Sequence, residues 1–100
     1  MKFGLSDGDL AKINSVFARF PQIEQVVLYG SRAKGNYRAG SDIDLTLFGP
    51  DTNDLLLSQI LSELDDLNTP YLMDVSLYDQ IVSSELKKHI AEYGQLFYKK

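Results

Sequence analysis

The chain has 100 residues, of which 44% are hydrophobic and 24% charged, with a net charge of −4 and no cysteine. These values predict one folded domain over residues 1–100 and exclude a disordered chain, a disulfide scaffold, thiol catalysis and cysteine-based zinc sites. The absence of a long basic run argues against binding to duplex nucleic acid. No segment is typical of a signal peptide or a membrane span, so we expect a cytoplasmic protein without membrane contact.

The spacing of apolar residues, read with the turn and capping residues between them, predicts the elements in chain order. They are a helix over 6–20, strands over 24–29 and 42–48 around a loop of at most one helical turn, a helix capped within 51–53 and extending to 67, a strand over 71–78, and a helix over 81–93. Gly94 is typical of a C′ glycine, and residues 95–98 form either a short strand or a packed irregular segment. The order predicts an α/β (α+β) fold with a small mixed β-sheet covered by helices on one main face.

Two aspartates stand within the strand over 42–48, although Asp is depleted from strands. Because side chains alternate across a strand, Asp42 and Asp44 share one face. Asp74 holds the same polar position on the next strand, so the three carboxylates converge if these strands are neighbours. Such a cluster is self-repelling unless a divalent cation binds, and oxygen ligands favour Mg²⁺ or Mn²⁺ over zinc.

A Gly-Ser turn precedes the two aspartates. A strand that runs into Gly30 and Ser31 exposes backbone N–H groups and a hydroxyl to an anion, and Arg32 and Lys34 add positive charge nearby. Of these cations, Arg32 is the better candidate because it directly follows Ser31. The segment from Gly30 to Asp44 could therefore bind phosphate groups at its start and metal ions at its end. Two-metal phosphoryl-type transfer requires both.

The string Gly30-Ser31, ten residues, then Asp42-Ile43-Asp44 resembles the motif of the nucleotidyltransferase superfamily related to DNA polymerase β. The short chain is similar to its minimal nucleotidyltransferases (MNT), many of which are antitoxins paired with HEPN-domain toxins. The resemblance implies that Gly30, Ser31 and Arg32 bind ATP or another nucleoside triphosphate. It implies that Asp42 and Asp44 ligate two Mg²⁺ ions, that Asp74 is the third catalytic and metal-binding carboxylate, and that AMP passes to a hydroxyl, such as a Tyr, of a HEPN partner in a complex.

Other interpretations remain open at this stage. The chain is alternatively a non-catalytic subunit that neutralises its partner by contact, or an enzyme acting on a small molecule, which the missing acceptor domain disfavours. Asp42 and Asp44 are alternatively charges that protect an edge strand. The side chains of Tyr29 and Tyr37 either stack on a base or pack, and Lys34 and Arg38 are equally compatible with a solvated loop. The single histidine, His89, is expected on a helix surface without chemistry.

Overall fold

A computed structural model describes residues 2–100. Its helices are α1 (Asp7–Ala18), α2 (Ser31–Lys34), α3 (Asp54–Asp65) and α4 (Ser84–Tyr93), and its strands are β1 (Gln25–Tyr29), β2 (Ile43–Phe48), β3 (Met73–Leu77) and β4 (Gln95–Lys99). The four strands form one sheet in the order β3-β2-β1-β4. The β2–β3 pair is parallel and the other two pairs are antiparallel. The predicted mixed sheet and the predicted order of elements are therefore confirmed.

The hydrophobic core lies between one face of the sheet and helices α1 and α3. Each helix contributes an apolar stripe at helical spacing, and each strand contributes alternate residues, because only every second side chain of a strand faces the same way. The fully buried members of this core include Ile13, Val16, Phe17, Val26, Leu28, Ile43, Leu45 and Ile60. In residues 2–100 no helix is long and apolar enough to cross a membrane.

Side-chain caps set the starts of the three longer helices. Ser6 accepts the Asp9 N–H at 3.1 Å, as the sequence pattern predicted, and Asn53 accepts the Leu56 N–H at 2.9 Å. The predicted start of the last helix at residue 81 is wrong. Ser83 accepts the Leu86 N–H and caps the helix, while the chain before it forms a 3₁₀ turn over Tyr78–Gln80.

Helix α4 lies on the opposite face of the sheet from α1 and α3, so the helices are not confined to one face. Its His89 ring contacts the ring of Tyr29, and Tyr29 and Val27 point away from the core face of β1. Gly94 ends α4, but with φ −58° rather than the left-handed conformation of a C′ glycine. A Cβ at Gly94 would collide with the Ile90 carbonyl and lie 2.8 Å from Val27 Cγ1, so close packing of α4 on β1 requires this glycine.

Candidate active site

The parallel pairing of β2 with β3 brings the predicted acidic residues together. Asp44 and Asp74 are direct partners in the β2–β3 register. Asp42 precedes β2 by one residue, and therefore lies two positions from Asp44 on the same strand face. Asp44 is half-buried, whereas Asp42 and Asp74 are exposed. We call these three residues the carboxylate cluster.

The carboxylate cluster is electrostatically strained at its centre. Burial raises the pKa of Asp44, the negative charges of Asp74 and Asp42 raise it further, and His89 acts in the opposite direction. Within residues 2–100 the one ion pair joins Arg19 to Glu63, so none of the three carboxylates has a basic side chain paired with it. The arrangement favours the arrival of a cation.

The donor chemistry of the carboxylate cluster fits a hard divalent cation such as Mg²⁺, which binds through oxygen atoms and a small number of carboxylates. In the part of the chain that the structure describes, no three His, Asp or Glu side chains are drawn together tightly enough to hold an ion. Asp42 and Asp74 are exposed and free to change rotamer, so ion binding requires them to turn towards Asp44.

The Gly30–Ser31 turn lies directly beside the carboxylate cluster. Gly30 adopts φ 79° and ψ −156°, which residues with a side chain rarely occupy. A Cβ at this position would collide with the carboxylate of Asp44. Gly30 therefore lets the backbone pass against Asp44, and Ser31 starts the single turn of α2 immediately after it. The structure thus brings five of the predicted site residues into one region: Gly30, Ser31, Asp42, Asp44 and Asp74.

Arg32, predicted to bind nucleotide, is instead used inside the protein. Its side chain is only 3% exposed. The guanidinium donates to the Ser41 carbonyl from Nε at 3.1 Å and from Nη2 at 2.8 Å, and to the Phe3 carbonyl from Nη1 at 2.8 Å. It also lies over the rings of Tyr37 and Tyr71. Arg32 therefore fixes the chain just before Asp42, and a contact of Arg32 with the nucleotide stays a prediction.

Two further residues lie at the site: His89, which was expected on a helix surface without chemistry, and Tyr29, which was expected either to stack on a base or to pack. His89 accepts the Gly30 N–H through Nε2 at 3.0 Å, although it is 59 positions away in sequence. Tyr29 is the β-partner of Asp44. Burial raises the pKa of Tyr29, a hydrogen bond with the Ser76 side chain opposes that shift, and the charges of Asp74 and Asp44 add to it. The raised pKa keeps the Tyr29 hydroxyl protonated at neutral pH beside the carboxylate cluster.

The other aromatic and basic residues of the loop take packing roles in this structure. Tyr37 packs on the Arg32 guanidinium, with 5.3 Å between the guanidinium carbon and the ring centre. Lys34 Nζ lies 5.1 Å from the ring centre of Tyr93 on α4. The backbone N–H of Arg38 donates to Ser41 Oγ and closes the turn before β2.

Comparisons with known proteins identify the family and support the fold. The family model described as "Polymerase beta, Nucleotidyltransferase" matches residues 11–100. A toxin–antitoxin structure with AMP-PNP is 18% identical with a TM-score of 0.73, over 92% of this chain and 74% of that one. A tri-AMPylated Shewanella oneidensis HEPN toxin in complex with MNT antitoxin contains a chain that is 20% identical with a TM-score of 0.63, over 96% and 74%. Toxin–antitoxin MntA-HepT gives 20% identity and a TM-score of 0.63 over 95% and 74%. Comparison with curated proteins gives no match.

Proposed function

The chain belongs to the polymerase β-type nucleotidyltransferase family, and from that premise we propose that it is a metal-dependent enzyme that transfers AMP from ATP to a hydroxyl group of a HEPN toxin. The observation that carries this proposal is the direct pairing of Asp44 with Asp74 beside the Gly30–Ser31 turn. Three carboxylates and a backbone turn that passes close to one of them thus lie in one region. A sheet edge with a purely structural role would not require this arrangement.

The Gly30–Ser31 turn is the proposed contact for the triphosphate. Gly30 has no side chain to block an approaching phosphate, and the Ser31 hydroxyl is a donor that is suited to a phosphate oxygen. Lys34 is exposed one helical turn further on and contributes positive charge without a described ion-pair partner among residues 2–100.

The carboxylate cluster would hold the divalent ions. When bound, the ions neutralise the repulsion between the triphosphate and the carboxylates and polarise the reacting phosphate. Asp44 approaches from the middle of the site, and Asp42 precedes it on the same strand face. Both are therefore proposed to ligate the two ions, as the family resemblance implies.

Asp74 is proposed to serve the acceptor side. It lies on the edge strand β3 and is exposed, so an acceptor hydroxyl can reach it from outside the sheet. In the transfer, the acceptor oxygen forms a bond to the α-phosphorus of ATP, the bond from that phosphorus to the β-phosphate oxygen breaks, and pyrophosphate leaves. The hydroxyl proton passes to a base, for which the Asp74 carboxylate is placed.

The choice of acceptor and nucleotide rests on the structural neighbours. One neighbour is a toxin–antitoxin structure with AMP-PNP, and another contains a tri-AMPylated HEPN toxin in complex with MNT antitoxin. The chain aligns over at least 92% of its length with both. These likenesses support ATP as the donor and a HEPN toxin as the partner that accepts AMP and forms a complex with this chain.

The test is a transfer assay with a HEPN toxin as the acceptor, sought among the proteins encoded beside this chain. Purified chain, Mg²⁺ and ATP labelled on the α-phosphate should label the partner, whereas ATP labelled on the γ-phosphate should not. Asp74→Asn should keep nucleotide binding and lose transfer, and Asp44→Asn should lose both. Neutralisation of the toxin by the chain without any label on the partner would instead support the contact-only interpretation and contradict the proposal.

A further inference from the structure

Helix α4 contacts the Gly30–Ser31 turn through the imidazole of His89. The Gly30 N–H donates to His89 Nε2 at 3.0 Å. Nε2 is therefore the acceptor in this contact, and the backbone N–H is the donor. The ring is half-buried, and it contacts the Tyr29 ring edge-on at 6.2 Å between centroids. The position of the imidazole is thus fixed from the side of β1 as well as from α4.

The N–H of Gly30 lies beyond the end of the β1–β4 ladder and therefore takes its acceptor from His89. The β1–β4 ladder reaches the Leu28–Gln95 pair and stops two residues before Gly30. His89 supplies the acceptor for the N–H that follows the end of this ladder. Glycine has more backbone freedom than any other residue, so an unanchored Gly30 would sample conformations other than the one that passes against Asp44.

The same face of α4 also contacts the far end of α2. Tyr93 is four residues after His89, which places both side chains on one side of the helix, with 5.2 Å between their ring centroids. Lys34, the last residue of α2, lies over the Tyr93 ring. A single helical turn is not stable alone, because helix nucleation is unfavourable. Contacts with α4 at both ends therefore stabilise α2 in its position beside Asp44.

We propose that His89 is a positioning residue of the nucleotide site. Its hydrogen bond fixes the orientation of the Tyr29–Gly30 peptide. It thereby limits the conformation of Gly30 and the position of the Ser31 hydroxyl that follows, before the triphosphate arrives. The inference rests on the proposed function, because it assumes that this turn contacts the triphosphate. The proposed role of His89 involves neither metal binding nor contact with the transferred AMP group.

Three variants test the role of His89. His89→Ala removes the acceptor, His89→Gln replaces it with an amide oxygen at similar reach, and Lys88→Ala changes the neighbouring exposed residue of α4 as a matched control. Two measurements are made on each. NMR hydrogen exchange of the Gly30 amide without nucleotide reports the contact itself, and calorimetric titration of AMP-PNP with Mg²⁺ reports the nucleotide affinity.

We expect His89→Ala to accelerate Gly30 exchange and to weaken AMP-PNP binding about tenfold, the equivalent of one hydrogen bond. His89→Gln should restore both readouts to within about threefold of the parent, and Lys88→Ala should leave both unchanged. A purely structural contact would alter exchange and melting but leave affinity unchanged, and that result overturns the proposal. Tighter AMP-PNP binding by His89→Ala also overturns it, since it would mean that the imidazole competes with phosphate for the Gly30 N–H. If the parent itself does not bind AMP-PNP, both the proposed function and this inference are contradicted. If the parent binds AMP-PNP and His89→Ala binds it with the same affinity, only this inference is contradicted.

Discussion

At the scale of single residues, Asp44 illustrates a conflict between stability and the proposed chemistry. Its carboxylate is half-buried beside two others, and burial together with those charges raises its pKa. A group whose pKa is raised in the folded protein contributes stability below its ordinary pKa, and this contribution is lost as the pH rises through the raised value. At neutral pH the ionised Asp44 therefore destabilises the protein in the absence of metal.

We expect Asp44→Asn to be at least as stable as the parent at neutral pH in the presence of a chelator. The advantage should be absent in acid, where the Asp44 carboxyl is protonated in both the folded and the unfolded states, and should appear as the pH rises. Urea unfolding of both proteins across this pH range measures the difference. A variant that is clearly less stable than the parent at neutral pH would show that the carboxylate holds the fold by hydrogen bonds.

Arg32 is the second residue at this scale whose surroundings decide its role. We expect Arg32→Lys to lower the free energy of unfolding by about 1–3 kcal/mol, because one ammonium group cannot serve the carbonyls of both Phe3 and Ser41 and leaves a buried acceptor unpaired. Lys34→Gln, an exposed change in the same turn, should stay within about 0.5 kcal/mol. Denaturant unfolding checks both. An Arg32→Lys variant of parental stability but with weakened AMP-PNP binding would support the original sequence-based prediction of a phosphate contact.

At the scale of secondary-structure elements, α4 lies on the face of the sheet opposite α1 and α3, whereas the sequence pattern predicted helices on one main face. The approach of α4 to β1 depends on Gly94, since a Cβ there would meet the Ile90 carbonyl and Val27. The same approach allows His89 to contact Gly30 and Tyr93 to contact Lys34. One packing contact therefore controls the position of the Gly30–Ser31 turn, which is the proposed contact for the triphosphate.

Two glycine substitutions should act in opposite directions. Gly94→Ala should destabilise the protein and loosen α4, because a backbone carbonyl cannot move aside easily. Gly8→Ala, inside α1 and with its nearest neighbour atom 3.9 Å from the new Cβ, should stabilise by about 0.5–1 kcal/mol, because alanine loses less conformational entropy than glycine in a helix. Thermal melting of both variants checks these signs. Equal effects of the two substitutions would show that α4 is not closely packed on β1.

The elements that sequence reasoning recovered are those set by local rules. Alternation within a strand predicted that Asp42 and Asp44 share one face. The convergence with Asp74 was conditional on β2 and β3 being neighbours, and their parallel pairing meets that condition. The contacts of Arg32 and His89 were not predicted, because their partners come from distant segments. The guanidinium lies between residues near 3, 41 and 71, and the imidazole meets a residue 59 positions away. Periodicity carries no information about such contacts.

At the scale of the whole molecule, the fold separates a core face from a face that carries charge. Apolar side chains of the sheet meet α1 and α3, and the other face carries the carboxylate cluster with α4 along one side. With a net charge of −4, the protein repels an anionic triphosphate unless cations intervene. Nucleotide binding by the intact protein should therefore depend on divalent metal.

Calorimetric titration of AMP-PNP into the parent chain, first with Mg²⁺ and then with a chelator, tests this dependence most directly. Asp44→Asn titrated with Mg²⁺ is the matched variant, since it keeps the shape of the side chain and removes its charge. We expect binding by the parent with Mg²⁺, none measurable with the chelator, and none measurable for Asp44→Asn. Equal affinity of the parent with Mg²⁺ and with the chelator would contradict the claim that the carboxylate cluster and the Gly30–Ser31 turn form one metal-dependent nucleotide site.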